Sequence, residues 1–314
     1  MAAASHPAAA TGSRLARHKK VPLTARARED RRLGWLLCAP AVAVMVLVTG
    51  YPIIYAFVLS LQRYDLRFPG DRGFVGLSNY KTVLTSTTWW SDFLNTVIIT
   101  VSSVAIELVL GMFIALVMNK AIFARGAVRT AVLIPYGIVT VVAGFSWRYA
   151  FDPTTGFVVK LLGLNSPPLT SHWGSMVVIV LTEAWKTTPF MALLLLAGLS
   201  LVPEELMRAA KVDGANAVQR FFRITLPLIM PSVIVALLFR TLDAFRVFDS
   251  VFVLTRGANN TESVSILGYN TLINRLNLGL GSAISVLIFL CVLVIATFFI
   301  KGLGASPTQT QGRS

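Results

Sequence analysis

A chain of 314 residues that is 55% hydrophobic and only 13% charged does not read as a soluble domain, in which about 25% of residues are charged. Its net charge of +14 would suit nucleic acid, but eight of the 28 Lys and Arg lie within the first 32 residues. The others sit at the ends of apolar runs, which is the pattern of topology signals and anionic-lipid contacts, so no nucleic-acid partner is expected.

In chain order, residues 1–33 are rich in Ala, Arg, Lys and Ser without a periodic apolar face, and are expected to form a disordered basic tail. A membrane-spanning domain is expected over 34–301, with a polar tail over 302–314. Trp35–Ser60 is free of charge and long enough to cross a bilayer. Phe93–Met118 is a second span, interrupted only by Glu107. Ala127–Trp147 is a third, containing Pro135, Gly137 and Gly144. Gly174–Leu201 is a fourth and carries Glu183, Lys186 and Pro189. Leu226–Phe239 opens a fifth that could run on toward Leu254, and Leu280–Ile300 is the sixth. The fold class is therefore an all-α integral membrane protein with about six transmembrane helices. Cys38 and Cys291 fall in separate apolar runs, and His6, His18 and His172 share no ligand spacing, so neither a disulfide nor a metal site is expected. The acceptor pattern Asn259-Asn260-Thr261 is a weak motif and carries no argument.

Six spans put both termini on one side. Seventeen Lys and Arg then share a side with the 203–227 loop, and ten lie opposite in longer loops. The bias expects a multi-pass plasma-membrane protein with that loop and both termini in the cytoplasm.

Pro203–Pro227 is charged and sharply patterned between two apolar runs. Pro203 suits the start of a helix with Glu204 and Glu205 in its first turn. Leu206, Ala209, Ala210 and Asp213 follow at helical spacing, Gly214 permits a reversal, and a second short helix is expected over Asn216–Phe222. Patterning alone leaves open an interfacial amphipathic helix with no partner. The full string narrows the choice. Ala209-Ala210, Gly214, Ile224 and Leu226-Pro227 stand at the spacing of the cytoplasmic loop of binding-protein-dependent ABC importer permeases, and the chain resembles that family. Arg208 departs from it, since the family has Glu there. Asp213-Gly214-Ala215, Leu242–Thr255 and Leu280–Leu290 resemble the maltose-type sugar branch, and within it the trehalose importers of actinobacteria.

The resemblance implies an ABC type I importer permease that is no enzyme and has no catalytic residue. Glu205, Arg208, Ala209, Ala210, Asp213, Gly214, Ile224, Leu226 and Pro227 would couple it to an ATPase. It implies a homologous second permease, an ATPase dimer, an extracytoplasmic sugar-binding lipoprotein and contact with membrane lipids. ATP and Mg would be held by the ATPase subunits, and the absence of a G-x-x-x-x-G-K-[ST] loop from this chain agrees.

Ionisable residues inside spans are costly and mark candidate paths. Glu183 and Lys186 stand three apart, as do Asp243, Arg246 and Asp249, with Phe245 and Phe248 between. Carboxylates, guanidinium groups and rings suit a sugar. The bland readings are a structural Glu183–Lys186 pair, phenylalanines that only pack, charges that mark a span end and a Glu107 hydrogen-bonded between helices. Two other classes compete: a proton-coupled transporter using Glu107 and Glu183, and a membrane anchor without charges in its spans, against which Glu183 and Lys186 count.

Overall fold

The computed structural model of the protein describes residues 25–120, 125–163 and 166–302, with side chains for all of these but 25–32 and 125. The chain divides into two compact units, Met1–Ile54 and Tyr55–Ser314. In the first, helix α1 (Ala25–Met45) contains Pro40 and passes into a π-helical turn, Val46–Gly50. Leu36, Leu37, Met45 and Leu47 are exposed, as they would be on a helix facing hydrocarbon. The expected tail over 1–33 therefore ends in helix from Ala25, and 1–24 lie outside the described residues, as does 303–314 of the C-terminal tail.

Helix α2 (Tyr51–Ser60), within which the division falls, closes the first apolar run, and in the second unit a small antiparallel hairpin follows, Gln62–Arg63 against Gly73–Phe74. Short α3 (Ser78–Leu84) leads into α4 (Thr87–Lys120), 34 residues long. This span begins before the expected Phe93, because Trp89 and Asp92 are buried in its first turns. Helices α5 (Arg125–Gly137) and α6 (Thr140–Ala150) come next, then α7 (Phe157–Leu161) and α8 (His172–Leu199). Beyond the coupling loop lie α11 (Leu226–Ala244), α12 (Asp249–Leu254), α13 (Val264–Tyr269) and α14 (Leu278–Thr297). Among the described residues five helices are long and apolar enough to cross a membrane, or six spans when α5 and α6 count as one broken span.

Two spans differ from the sequence expectation. The third is not one helix: α5 and α6 meet at 83°. Pro135 lacks the N–H that a helix interior needs, Gly137 is two residues on, and Val139 is extended (ψ 131°), so the helix ends and restarts. The fifth begins earlier and ends sooner than expected. It runs from Ala217 to Ala244 in one 28-residue helix, and α12 is a separate piece.

The core lies where α4, α8 and α11 pack, around Ala115, Met191, Leu195, Ile229 and Ala236. Gly111 makes the α4–α8 approach possible. A Cβ there would stand 2.8 Å from Met191 Cγ and 3.2 Å from the Ala192 nitrogen.

Candidate functional site

The loop between α8 and α11 is built from its own caps. Helix α9 (Glu204–Val212) starts after Pro203, and Glu204 accepts a hydrogen bond from Arg208 at 2.8 Å, one turn on. Glu205 makes no ion pair with Arg208. Gly214 has φ +80°, a left-handed conformation, and the Ala215 nitrogen donates to the Ala210 carbonyl at 2.9 Å. Asn216 then caps α10 (Ala217–Arg220). Its side chain accepts from the Gln219 nitrogen at 2.8 Å, and the Gln219 side chain accepts from the Asn216 nitrogen at 2.9 Å. Helix α10 passes through a π-helical turn, Phe221–Thr225, directly into α11. The short helix expected over Asn216–Phe222 is thus the foot of the fifth span. The reciprocal cap was readable as Asn-x-x-Gln but went unnoticed beside the louder Gly214.

The loop residues divide by exposure. Ala210 is buried against its own unit, whereas Ala209, Arg208, Glu205, Asp213 and Pro227 are exposed, and Ile224 and Leu226 are half-buried. Leu206, Val212, Val218 and Phe222 are exposed apolar side chains. The loop therefore presents Ala209 among exposed apolar and charged side chains. The helix of 28 residues that starts at Ala217 spans about 40 Å along its axis to Ala244.

At that far end is a cavity of about 450 Å³ lined by Tyr136, Lys186, Asp243, Arg246, Phe248 and Asp249, among others. Glu183, Thr187 and Thr140 also reach it. Of the expected path residues, all but Phe245 line it. Phe245 is buried instead, edge-on to Phe93 at 6.0 Å, which is the packing role. The break between α5 and α6 brings Tyr136 and Thr140 to the cavity wall.

The expected pairing within α8 does not form. Glu183 accepts from the Ser250 hydroxyl, and Lys186 makes no ion pair among the described residues; its Nζ lies 5.7 Å from the Tyr136 ring centre. The buried ion pair is elsewhere. Arg240 Nε donates to Glu107 Oε2 at 2.5 Å and Arg240 Nη2 donates to Glu107 Oε1 at 2.8 Å. The Thr187 hydroxyl lies 2.7 Å from Glu107 Oε1 and 2.6 Å from the Glu183 carbonyl. Arg240 and Glu107 side chains are 1% and 0% exposed. The remaining nitrogen, Arg240 Nη1, donates to Asp243, whose side chain is open to the cavity. One guanidinium thus ties α4 to α11 and holds a cavity carboxylate in place. Sequence reading took Glu107 as hydrogen-bonded between helices and did not find its partner, 133 residues away.

The family model described as "Binding-protein-dependent transport system inner membrane component" matches residues 84–305. The chain belongs to this family. Its match covers the coupling loop, the cavity and the Glu107–Arg240 pair together. Among its relatives, this inner membrane component is 59% identical to the trehalose transport system permease protein SugA of Mycobacterium tuberculosis, over 88% of this chain and 90% of the relative. It is 38% identical to the trehalose/maltose transport system permease protein MalF of Thermococcus litoralis, over 87% and 94%. A solved bacterial alginate ABC transporter, in complex with an alginate pentasaccharide-bound periplasmic protein, matches the fold with TM-score 0.75 at 22% identity, over 88% of this chain and 98% of that one.

Proposed function

We propose that this inner membrane component is a pore-forming subunit of an ATP-driven importer of a neutral disaccharide, with trehalose the first candidate. The observation that carries the reading is the 59% identity to a trehalose permease along nearly the whole chain. The cavity agrees with it: carboxylates, a guanidinium, an ammonium, a phenol and a ring face one space of about 450 Å³, inside the 300–1,000 Å³ range of ligand pockets. Such a set both donates to and accepts from hydroxyls.

In this reading Asp243, Arg246, Asp249, Glu183 and Lys186 meet the sugar, and Phe248 covers a ring face. The exposed side of α9, with Ala209 at its centre, seats on an ATPase subunit. That subunit holds ATP and Mg, and this chain holds neither. A second, homologous permease supplies the other half of the pore, and an extracytoplasmic lipoprotein delivers the sugar. Both termini and the coupling loop face the cytoplasm. Closure of the ATPase dimer pulls the loop, and the continuous Ala217–Ala244 helix moves the Asp243 end of the cavity as a rigid lever.

The proton-coupled alternative, which would use Glu107 and Glu183, finds no support: both Glu107 oxygens are engaged by Arg240, and Glu183 accepts from the Ser250 hydroxyl. The deciding experiment is uptake of labelled trehalose into proteoliposomes holding the whole complex. Uptake should require internal ATP and survive a protonophore. Uptake that ignores ATP and stops with the protonophore would overturn the reading.

A further inference from the structure

A second cavity, of about 330 Å³, lies between α12 and α13 and is lined by Phe252, Arg256, Ile266, Tyr269, Asn270 and Asn274. The loop beside it is fixed at the end of the unit away from the coupling loop. Asn259 Nδ2 donates to the Leu169 carbonyl just before α8, and Asn95 Nδ2 donates to the Asn260 and Glu262 carbonyls from the start of α4. Helix α8 reaches the coupling loop only at its other end.

The lining sets two hydrogen-bonding groups without protein partners among the described residues, on Arg256 and Tyr269, beside two amides already held by a relay, around aromatic rings. Arg256 is exposed, makes no side-chain hydrogen bond or ion pair among the described residues and touches only the Phe252 ring, 5.9 Å from its centre. It sits at φ +53°, a conformation unusual for a residue with a Cβ, and the clamped loop keeps it there. The Tyr269 hydroxyl likewise has no partner among the described residues. Glu262 accepts from Asn270 Nδ2 at 2.6 Å, and Asn270 Oδ1 accepts from Asn274 Nδ2 at 2.7 Å. That relay fixes both amides and sets the Glu262 carboxylate behind them.

A fixed amide pair, a phenol, a guanidinium and aromatic faces suit the hydroxyls and C–H faces of a polyhydroxylated ligand, and the anionic alternative is an outcome of the test below. The cavity also adjoins the first. Phe248, on the wall of the 450 Å³ cavity, stacks on Phe252 at 5.3 Å and meets Tyr269 edge-on at 5.3 Å. Three rings form the partition between the two spaces.

We infer that the Arg256–Tyr269–Asn274 cavity is an outer saccharide-binding site, occupied before the sugar passes Phe248 into the cavity around Asp243. The inference rests on the sugar-importer reading and adds a station to it. Rotation of Phe248 and Phe252 opens the partition, and sugar C–H faces replace the ring–ring contacts as it passes.

The test uses the whole transporter in nanodiscs without its binding protein, with trehalose as the probe and saturation-transfer difference NMR as the readout. Asp243→Asn removes the inner carboxylate and should leave a clear transfer signal. Adding Arg256→Asn and Asn274→Ala should cut that signal at least about fivefold. Asn is chosen at 256 because it accepts the left-handed backbone. With Asp243 intact, the same pair of outer variants should raise the KM for trehalose-loaded binding protein about tenfold and leave maximal uptake within about twofold. A signal indifferent to the outer variants overturns the site. So does better displacement by an anionic sugar phosphate than by unlabelled trehalose. An equal loss of ATPase stimulation by empty and loaded binding protein would make this a protein-docking surface and also overturns it. Uptake of trehalose by the wild type without any transfer signal removes the outer site and leaves the importer reading standing. Neither uptake nor signal across neutral di- and trisaccharides removes both.

Discussion

Arg240 is a residue whose removal and whose replacement with its partner should give opposite results. It is buried with Glu107, and losing one member of such a pair leaves a charge with no compensation, typically about 3–5 kcal/mol. Arg240→Ala, which leaves the Glu107 carboxylate buried without its guanidinium, should therefore lower the thermal stability of the purified subunit and its yield in the complex. Replacing both, as Glu107→Leu with Arg240→Met, removes the stranded charge and should restore assembly to near wild type. Uptake should not recover with it, because Asp243 loses the guanidinium that holds it. Full recovery of uptake in the double variant would make the pair purely structural. In α9, which precedes that helix, the charge at Arg208 is answered locally by Glu204, in an exposed pairing of about 0.3–0.5 kcal/mol. Arg208→Ala should keep most ATP-dependent uptake. Gly214→Val should lose it, and the reason is backbone: a side chain there meets nothing within 4 Å, but φ +80° is closed to a β-branched residue. Pull-down of the ATPase with each variant separates the two; detachment by Arg208→Ala alone would show that charge holds the joint.

The elements show where a sequence can and cannot be read. Spans two, four and six follow from long apolar runs, which Glu107 in the second and Glu183, Lys186 and Pro189 in the fourth do not break, since a spanning segment must satisfy its backbone hydrogen bonds internally. The fifth span's foot was hidden because Arg220 and Arg223 make the stretch look like loop; only the structure shows helix continuing through them. The coupling loop was legible because Ala209, Ala210, Gly214 and Leu226-Pro227 are local. The Glu107–Arg240 pair was not, because nothing in either neighbourhood records which helix will lie opposite. The third span's break was half legible. Pro135 and Gly137 were visible, but whether they kink a helix or end it depends on what the next segment packs against, and here α6 packs against α12. That break has a function in the proposed pore, since it puts Tyr136 and Thr140 on the cavity wall. Replacing Pro135 and Gly137 together by Ala should favour a continuous helix, by about 3 kcal/mol for the proline and 1 for the glycine. Uptake should fall at least about tenfold while the subunit still inserts and co-purifies with its partners. Unchanged uptake would mean the bend is incidental to the cavity.

At the scale of the whole molecule, the proposed mechanism needs the coupling loop and the sugar cavities at opposite membrane faces, and this can be measured without any transport. The first choice of reporter from sequence would be Asn216, but its side chain closes the Asn216–Gln219 cap, and losing such a cap costs about 1 kcal/mol. Val212 is better: it is 88% exposed at the end of α9 and touches little. On the other face Phe74 is 77% exposed on the hairpin before α4, one span earlier in the chain than the segment at 121–124. With Cys38 and Cys291 replaced by Ser, Val212→Cys should resist a membrane-impermeant maleimide in intact cells and react once the membrane is permeabilised. Phe74→Cys should react in intact cells. The positive-residue bias and the count of spans make the same demand independently, the first through charge and the second through parity. The pair of reporters tests both at once. If both label from outside, the parity is wrong, and the bent α5–α6 pair enters and leaves on one side. If Val212 labels and Phe74 does not, the whole chain is inverted, the exposed Ala209 surface faces away from any ATPase, and the coupling mechanism fails with it.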